Sequence, residues 1–358
     1  MKQRMFRNLA AAGLAIAMCG TALSATVLKV ASPTPEKGWF GEMHKWWAQE
    51  VEKRSKGEIK AQFFWSGSLV KWPDCLPGIK SGIADMCWVS STYHPADLPN
   101  YMILESLLNF GDDYVAAVKA SIDTLESQPD MVAELKKQDI VLLMSHISGH
   151  GPIGTKKKLD SLADMKGKSL RTYGGARSDF YKDLGMNPVF MTFNDMYNAM
   201  DRGTVDALGE NVTLLANAFK LNEVIGNVHM ANPPGANGNG GVIGSSFFIR
   251  GEKWRSLTPA QQKMLKDLRW EYGVRYASHL IEDETKVQAQ WAKNNKITFQ
   301  TSSPDDAKKV LKAANAANEI FFKKQEAGGA KNVRAVYSYY LDARKKYEEQ
   351  HKKSGNYK

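Results

Sequence analysis

The sequence predicts an α/β protein of two lobes, each a mixed sheet flanked by helices, with a long helix bridging them. Strand and helix patterns alternate along the chain, which is typical of strands joined by crossover helices. This alternation starts near residue 26 and again near residue 169, and one helical pattern continues from Thr258 to about Asn294. A chain of 358 residues is long enough for two hydrophobic cores.

Residues 1–25 are predicted to be a cleaved secretory signal peptide. A basic start precedes an apolar run from Leu9 to Met18, and small residues lead to Ala25, the order typical of such leaders. The run is too short to span a membrane as a helix. Cys19 is an alternative lipidation site, although Met18 stands where a small residue is expected. We therefore expect a periplasmic protein.

Cys75 and Cys87 are the two cysteines that remain after the leader. An oxidising compartment permits a disulfide, but the sequence does not show whether their Cα atoms approach closely enough. A disulfide and two buried thiols both stay open. No nearby Cys or His completes a metal site, and we predict no metal or other cofactor.

The first round of alternation predicts parallel strands with helices on both faces. Phe40, Met43 and Val51 recur at helical spacing, and Gly57 ends that helix. The predicted elements are a strand at 27–31, a helix at 39–56, a strand at 59–65, a short helix at 74–81 and a strand at 84–90.

The second half repeats this order after an aromatic, proline-broken connection at 93–110. The predicted elements are one or two helices at 114–137, strands at 140–145 and around 170, a helix at 178–184, a strand at 188–191, a helix from 192, strands at 205–208, 242–250 and 297–301, and helices at 258–294, 304–322 and 333–352. Glycines and prolines exclude regular structure at 232–241, and we expect 242–250 to return to the first lobe. Lobe I is thus predicted as 26–147 plus 237–278 and lobe II as 148–236 plus 279–358, with a ligand cleft between them.

The sequence carries no recognisable enzyme motif. G-x-S-x-G, P-loop and H-E-x-x-H patterns are absent. His146 and His150 stand four apart, but Gly149 between them argues against a helical metal pair and favours a strand-end and a loop histidine. The net charge of +10 is spread over mixed helix faces, so a nucleic-acid partner is not predicted.

Several aromatic residues of the first lobe fall at strand ends or in the loops after strands. They include Trp39, Trp72, Trp88 and Tyr93. Open α/β sheets bind ligands at that edge, so together these residues favour a partly aromatic cleft. Burial in the core is the alternative for each of them.

Arg171 is the strongest candidate for a ligand contact. It ends a short strand pattern just before Gly174 and Gly175, and a second strand pattern ends about forty residues later in Glu210 and Asn211. Both strands would deliver polar side chains to the same edge of a sheet. The planar donor fork of an arginine suits a carboxylate.

Three segments closely resemble the TRAP (tripartite ATP-independent periplasmic) transporter solute-binding proteins of the DctP family. They are Leu162-Ala-Asp-Met-Lys-Gly-Lys-Ser-Leu-Arg-Thr, Leu184-Gly-Met-Asn-Pro-Val, and Asn194-Asp-Met-Tyr-Asn-Ala-Met-Asp-Arg-Gly-Thr-Val-Asp-Ala-Leu-Gly-Glu-Asn. Leu28-Lys-Val-Ala-Ser and Gly78-Ile-Lys-Ser-Gly-Ile-Ala-Asp-Met agree in the first lobe. The resemblance covers nearly the whole chain after the leader.

The resemblance implies a two-lobed periplasmic binding protein, or clamshell, that closes over an organic acid. It would deliver this ligand to a TRAP symporter made of a small and a large integral membrane protein. The arginine that pairs with the ligand carboxylate in the family falls on Arg171, and an asparagine falls on Asn211, next to Glu210. Tyr173 and His150 complete the set of candidate ligand contacts.

Two departures from the family pattern bear on the ligand. Gly149-His-Gly-Pro stands where many members carry Gly-Phe-Arg-like residues, so that second arginine is missing, and Val212 stands where a proline is common. We therefore favour a monocarboxylate with an apolar or aromatic body over the alternative, a C4-dicarboxylate. An ABC-type binding protein and a ligand-presenting partner of a sensor kinase are the alternative roles.

Overall fold

The computed structural model describes residues 25–108, 111, 113–148, 151–217, 219–230, 244–294 and 296–354. The predicted signal peptide, apart from Ala25, lies outside them, as do His150 and the glycine-rich segment 232–241. None of the described helices is both long enough and apolar enough to cross a membrane.

The α/β architecture predicted from the sequence is confirmed, with two mixed sheets flanked by helices. The strands are β1 (Thr26–Ala31), β2 (Ile59–Phe64), β3 (Met86–Val89), β4 (Ile140–Met144), β5 (Ile153–Thr155), β6 (Ser169–Thr172), β7 (Asn187–Phe190), β8 (Ala207–Gly209), β9 (Asn227–Met230), β10 (Ser246–Arg250) and β11 (Thr298–Thr301). The α-helices are α1 (Trp39–Arg54), α2 (Cys75–Lys80), α3 (Tyr101–Ser106), α4 (Tyr114–Ser127), α5 (Pro129–Lys137), α6 (Ala176–Asp183), α7 (Met196–Asp201), α8 (Val212–Asn217), α9 (Gly251–Arg255), α10 (Pro259–Asn294), α11 (Pro304–Ala327) and α12 (Val333–Ser354).

The first sheet has the strand order β2-β1-β3-β10-β4. β1 pairs in parallel with β2 and β3, as predicted for the first round of the pattern. β10 lies antiparallel between β3 and β4, so the predicted return of the chain to this sheet is confirmed. Because β10 runs in the opposite direction, its first residues lie at the same edge as the last residues of β3 and β4.

The second sheet has the order β11-β9-β5-β8-β6-β7. β6 is central in its parallel part, with β7 on one side and β8 on the other. β5 is antiparallel to β8 and β9. β5 and β9 are absent from the sequence-based prediction, although it includes other strands of three or four residues such as β6 and β8.

The predicted bridging helix is α10, which is 36 residues long. It contacts α1, α4 and β4 beside the first sheet, and α8 and β11 beside the second sheet. The terminal helices divide between the two sides, because α11 packs against α6 whereas α12 packs chiefly against α4. The sequence placed both of these helices in lobe II, and the exact division into lobes stays a prediction.

Cys75 and Cys87 form a disulfide, with their Cα atoms 5.4 Å apart. The bond joins the first residue of α2 to the buried strand β3. Of the two alternatives that the sequence left open, the structure therefore has the disulfide.

Candidate ligand site

A cavity of about 50 Å³ lies between the two sheets, at the edge where their parallel strands end. This volume holds only a few water molecules. The lining on the first-sheet side includes Thr34 after β1, Ser90 and Thr92 after β3, His146 to Ser148 after β4, and Gly244 and Ser245 before β10. On the second-sheet side it includes Tyr173 after β6, Phe193 after β7, and Glu210 and Asn211 after β8. Ends of parallel strands are the expected place for a ligand in such sheets.

Arg171 in β6 is completely buried. Its Nη1 donates to Glu210 Oε2 at 2.7 Å, and its Nε donates to the Met191 carbonyl at 3.0 Å. Its Nη2 has no hydrogen-bond partner among the described residues. A buried cation is tolerated only when it is paired, and Glu210 supplies the pairing charge. One donor atom of the fork remains available.

Two aromatic rings cover the guanidinium of Arg171. The Arg171 Cζ lies 4.5 Å from the ring centroid of Phe193 and 5.5 Å from that of Tyr173. Both rings line the cavity, whereas Arg171 itself does not. Phe193 also stacks on Trp72, with the ring centroids 4.5 Å apart. Phe193 therefore lies between the arginine on the second sheet and a tryptophan on the side of the first.

Asn211 acts as the cap of a helix and supports Glu210. Its Oδ1 accepts the backbone N–H of Leu214 at 2.8 Å at the start of α8, a typical N-cap hydrogen bond. Its backbone N–H and Nδ2 both donate to Glu210 Oε1, at 2.9 and 3.2 Å. Just before Glu210, Gly209 allows the close approach of Tyr181, because a Cβ at residue 209 would lie 2.6 Å from the Tyr181 hydroxyl.

The candidate aromatic residues divide between the cavity and its surroundings. Trp72 and Trp88 line it. The ring centroids of Trp39 and Phe40 lie 4.6 Å apart, so Trp39 packs behind Phe40 in the wall of the cavity. Tyr93 meets Phe190 edge to face at 6.0 Å, and burial raises the pKa of its hydroxyl to about 12 against the opposing charge of Arg171. Of the residues proposed from the sequence, the cavity thus brings together Trp72, Trp88, Tyr173, Glu210 and Asn211.

Two charged residues near the cavity were missed in the sequence. Glu105 of α3 lines it and accepts hydrogen bonds from the hydroxyl of Ser90 at 2.5 Å and the backbone N–H of Ser91 at 2.7 Å. Burial raises the pKa of Glu105, while these bonds and the charge of Arg177 oppose the shift. Arg177 of α6 is buried, and its Cζ lies 4.7 Å from the Tyr173 ring centroid. Among the described residues its Nε and Nη2 have no hydrogen-bond partner.

His146 is a third residue that the sequence analysis did not place in the site. It follows β4, is buried, and lines the cavity. Its Nε2 lies 2.9 Å from the Tyr272 hydroxyl and 3.4 Å from His44 Nε2. Burial lowers the pKa of both histidines, that of His44 to about 3. Within the described part of the chain, no group of three or more His, Cys, Asp or Glu residues is arranged to hold a metal ion.

The family model DctP, bacterial extracellular solute-binding protein, family 7, matches residues 30–325. The chain belongs to the DctP family. A TRAP periplasmic solute-binding protein from Desulfovibrio salexigens shares its fold at 26% identity, with a TM-score of 0.74 over 91% of this chain and 97% of that one. The family predicted from the motifs around Arg171 is therefore confirmed.

Two further proteins are similar to the chain at lower sequence identity. One is a marine metagenome TRAP solute-binding protein specific for aromatic acid ligands, in complex with 3-hydroxybenzoate. It is 21% identical, with a TM-score of 0.79 over 90% of this chain and 99% of that one, which shows that the two share a fold. The 2,3-diketo-L-gulonate-binding periplasmic protein YiaO of Escherichia coli is 24% identical over 241 residues, 66% of this chain and 70% of that protein. Segments aligned with the next two curated relatives cover 59% and 51% of those proteins.

Proposed function

We propose that this protein is a periplasmic receptor that binds a small organic acid through Arg171 and delivers it to a TRAP-type membrane symporter. Membership of the DctP family supports the receptor role. The observation that carries the ligand class is the buried guanidinium of Arg171, whose Nη2 has no partner among the described residues. A carboxylate is the natural acceptor for such a charged donor, and the bond is strong in a site that excludes water.

Phe193 has to move before a ligand can reach this guanidinium. Its ring lies between Arg171 and Trp72, about 4.5 Å from each. Separation of the two sheets removes only the contact with Trp72, because Phe193 and Arg171 both lie on the side of the second sheet, so the Phe193 ring must also rotate off the guanidinium. The apolar body of the ligand then takes the place of the Phe193 ring, and its carboxylate takes the free Nη2.

An apolar or aromatic monocarboxylate fits the walls of the cavity best. Phe40, Trp72 and Trp88 line the first-sheet side, and aromatic walls contribute large apolar contact area to a bound ligand. One relative of the same fold is specific for aromatic acid ligands, which agrees with this choice. The 50 Å³ cavity requires the walls to part for any such ligand.

A C4-dicarboxylate is the second candidate, and Arg177 favours it. The missing arginine near His150 argued against a second acid group, but Arg177 places another buried guanidinium beside Tyr173. Its Nε and Nη2, which have no partner among the described residues, could donate hydrogen bonds to a second carboxylate once the ligand enters.

Native mass spectrometry of the protein as purified tests the proposal by detecting a bound acid. A thermal-shift screen then compares benzoate, 3-hydroxybenzoate and 2-methylbutyrate with succinate and malate. We expect the monocarboxylates to raise Tm, because a ligand at 100 times its Kd stabilises the folded state by about 2.7 kcal/mol. Stabilisation by the dicarboxylates alone would replace the favoured ligand by the second candidate. If no organic acid binds, the receptor proposal is wrong.

Uptake tests the delivery step. In vesicles that contain the small and large membrane subunits of a TRAP symporter from the same organism, accumulation of the identified acid should require this protein. Accumulation that does not depend on it would contradict the proposed partnership.

A further inference from the structure

The ring of His146 has a nitrogen that is unpaired among the described residues, and the residue lines the cavity. Only 1% of the residue is exposed, yet it lines the cavity from the first-sheet side. Its Nδ1 has no hydrogen-bond partner among the described residues. Buried polar atoms are nearly always paired, and an unpaired one costs free energy. This atom is therefore suited to a partner that arrives with the ligand.

Tyr272 determines which nitrogen of His146 carries the proton. Its hydroxyl is fully buried, and its sole hydrogen-bond contact within the described residues is His146 Nε2 at 2.9 Å. The buried hydroxyl needs an acceptor, so it donates to Nε2. His44 Nε2, 3.4 Å away, can donate to the same atom.

The imidazole of His146 is neutral at ordinary pH, because burial and the neighbouring His44 lower its pKa well below the usual value. A neutral ring that accepts at Nε2 carries its proton on Nδ1. The Ser245 backbone acts in the opposite direction and raises this pKa, but no described atom stands in hydrogen-bond geometry to Nδ1. His146 therefore offers the cavity a donor, Nδ1–H.

The surrounding rings hold this donor in one orientation. Trp88 stacks on His146 with ring centroids 4.3 Å apart, and Tyr276 meets it edge to face at 4.6 Å. Phe247 lies 5.7 Å away. A donor with a fixed orientation discriminates between ligands better than a mobile one, because it loses little conformational entropy when the ligand binds.

We propose that His146 is a specificity-determining residue, whose Nδ1–H selects organic acids that carry a second oxygen acceptor facing the first sheet. A hydroxyl, keto or further carboxylate oxygen would serve. The inference rests on the proposed receptor function and narrows its ligand class. An acid without this oxygen leaves the N–H buried and unpaired, and sites built to bind a polar group reject analogues that lack it.

Isothermal titration calorimetry with pairs of acids that differ by one oxygen tests the inference. The pairs are benzoate with 3-hydroxybenzoate, phenylacetate with 3-hydroxyphenylacetate, and butyrate with 3-oxobutyrate. For at least one pair, the wild-type protein should bind the oxygenated member about 10- to 100-fold more tightly. His146→Phe should remove that preference, because it should weaken binding of the oxygenated member much more than binding of the plain acid.

Two further variants separate hydrogen bonding from packing. His146→Asn, whose amide N–H lies near the position of Nδ1, should keep part of the preference. His229→Phe, at a buried histidine of β9 that does not line the cavity, should keep it fully.

Tyr272→Phe addresses the positioning role of Tyr272, which does not itself line the cavity. ¹⁵N NMR of the His146 ring should change from the Nδ1–H tautomer to a mixture, with partial loss of the preference.

Equal affinities within every pair, or equal weakening of both members by His146→Phe, would overturn the inference and leave the receptor function standing. Failure of all these acids, and of succinate and malate, to bind would overturn both.

Discussion

Replacing Arg171 by glutamine separates its proposed role in binding from its role in the fold. Arg171→Gln leaves the Glu210 carboxylate, of which only 4% is exposed, without the 2.7 Å partner that neutralises it. A loss of binding in this variant alone would therefore be ambiguous. The double variant Arg171→Gln/Glu210→Gln removes both charges and leaves two amides that can bond to each other.

The magnitudes follow from the burial of the pair. Breaking a buried ion pair by removing one partner costs about 3–5 kcal/mol. At roughly 2–4 °C per kcal/mol for a chain of this size, Arg171→Gln should lower Tm by about 10 °C. The double variant should recover most of this loss, because replacing both charges of a buried pair is often close to neutral.

The affinity for the ligand should depend on the presence of Arg171 and not on the stability of the variant. The double variant should bind the acid found in the purified protein about 10- to 100-fold more weakly, the worth of a lost hydrogen bond to a charged group. Glu210→Gln should bind it at least as tightly as the wild type, because a competing carboxylate is gone. Differential scanning fluorimetry and calorimetry at pH 7 measure both quantities. A folded double variant with wild-type affinity would refute the role of Arg171.

Three other outcomes are expected. Cys75→Ser/Cys87→Ser should lower the free energy of unfolding by about 3 kcal/mol in urea titrations, because the bond closes a loop with a sequence separation of 12; an unchanged value would contradict this. Burial lowers the pKa of His44 to about 3, so the neutral, buried ring is fully compatible with folding above pH 6.5, whereas keeping it neutral destabilises the folded state as the pH falls. Between pH 7 and pH 4, His44→Phe should therefore lose about 3 kcal/mol less of its free energy of unfolding than the wild type. Parallel curves of unfolding free energy against pH for the two proteins would contradict this. Gly175→Ala should weaken acid binding about 10-fold, because the φ of Gly175 is +63° and a Cβ there would lie 2.4 Å from Ser106 Oγ on α3. The control Gly167→Ala, at a residue with a φ of +73° and no atom within 4 Å of a Cβ, should bind the acid normally. Equal affinities of the two variants would contradict the argument.

The long elements were predictable because each repeats its pattern several times. The bridging helix was predicted at 258–294 and is found at Pro259–Asn294. The motif around Arg171 placed that residue on a strand next to the site, since the strand, the glycines and the family pattern all agreed. Short strands such as β6 and β8 were located by the family motifs that contain them, whereas β5 and β9 lie outside those motifs.

The residues missed around the cavity owe their position to contacts between distant segments. Phe193 reaches Trp72 across the gap between the sheets, and His146 meets Tyr272 from the bridging helix. Glu105 and Arg177 lie on separate helices with no shared motif. Trp39 was proposed as a cleft residue, but the residue of this helix that lines the cavity is its neighbour Phe40. A helical pattern gives the buried face but not which residue reaches the ligand.

The position of β10 has a consequence for how the chain folds. β4 pairs in the first sheet with β10 and with no other described strand. During synthesis, β4 at residues 140–144 must therefore wait until residues 246–250 have been made, after the whole of β5 to β9. An N-terminal fragment that ends at residue 147 would expose the unpaired edges of β3 and β4, which invite aggregation. The first sheet can therefore be completed only after residues 246–250 have been made.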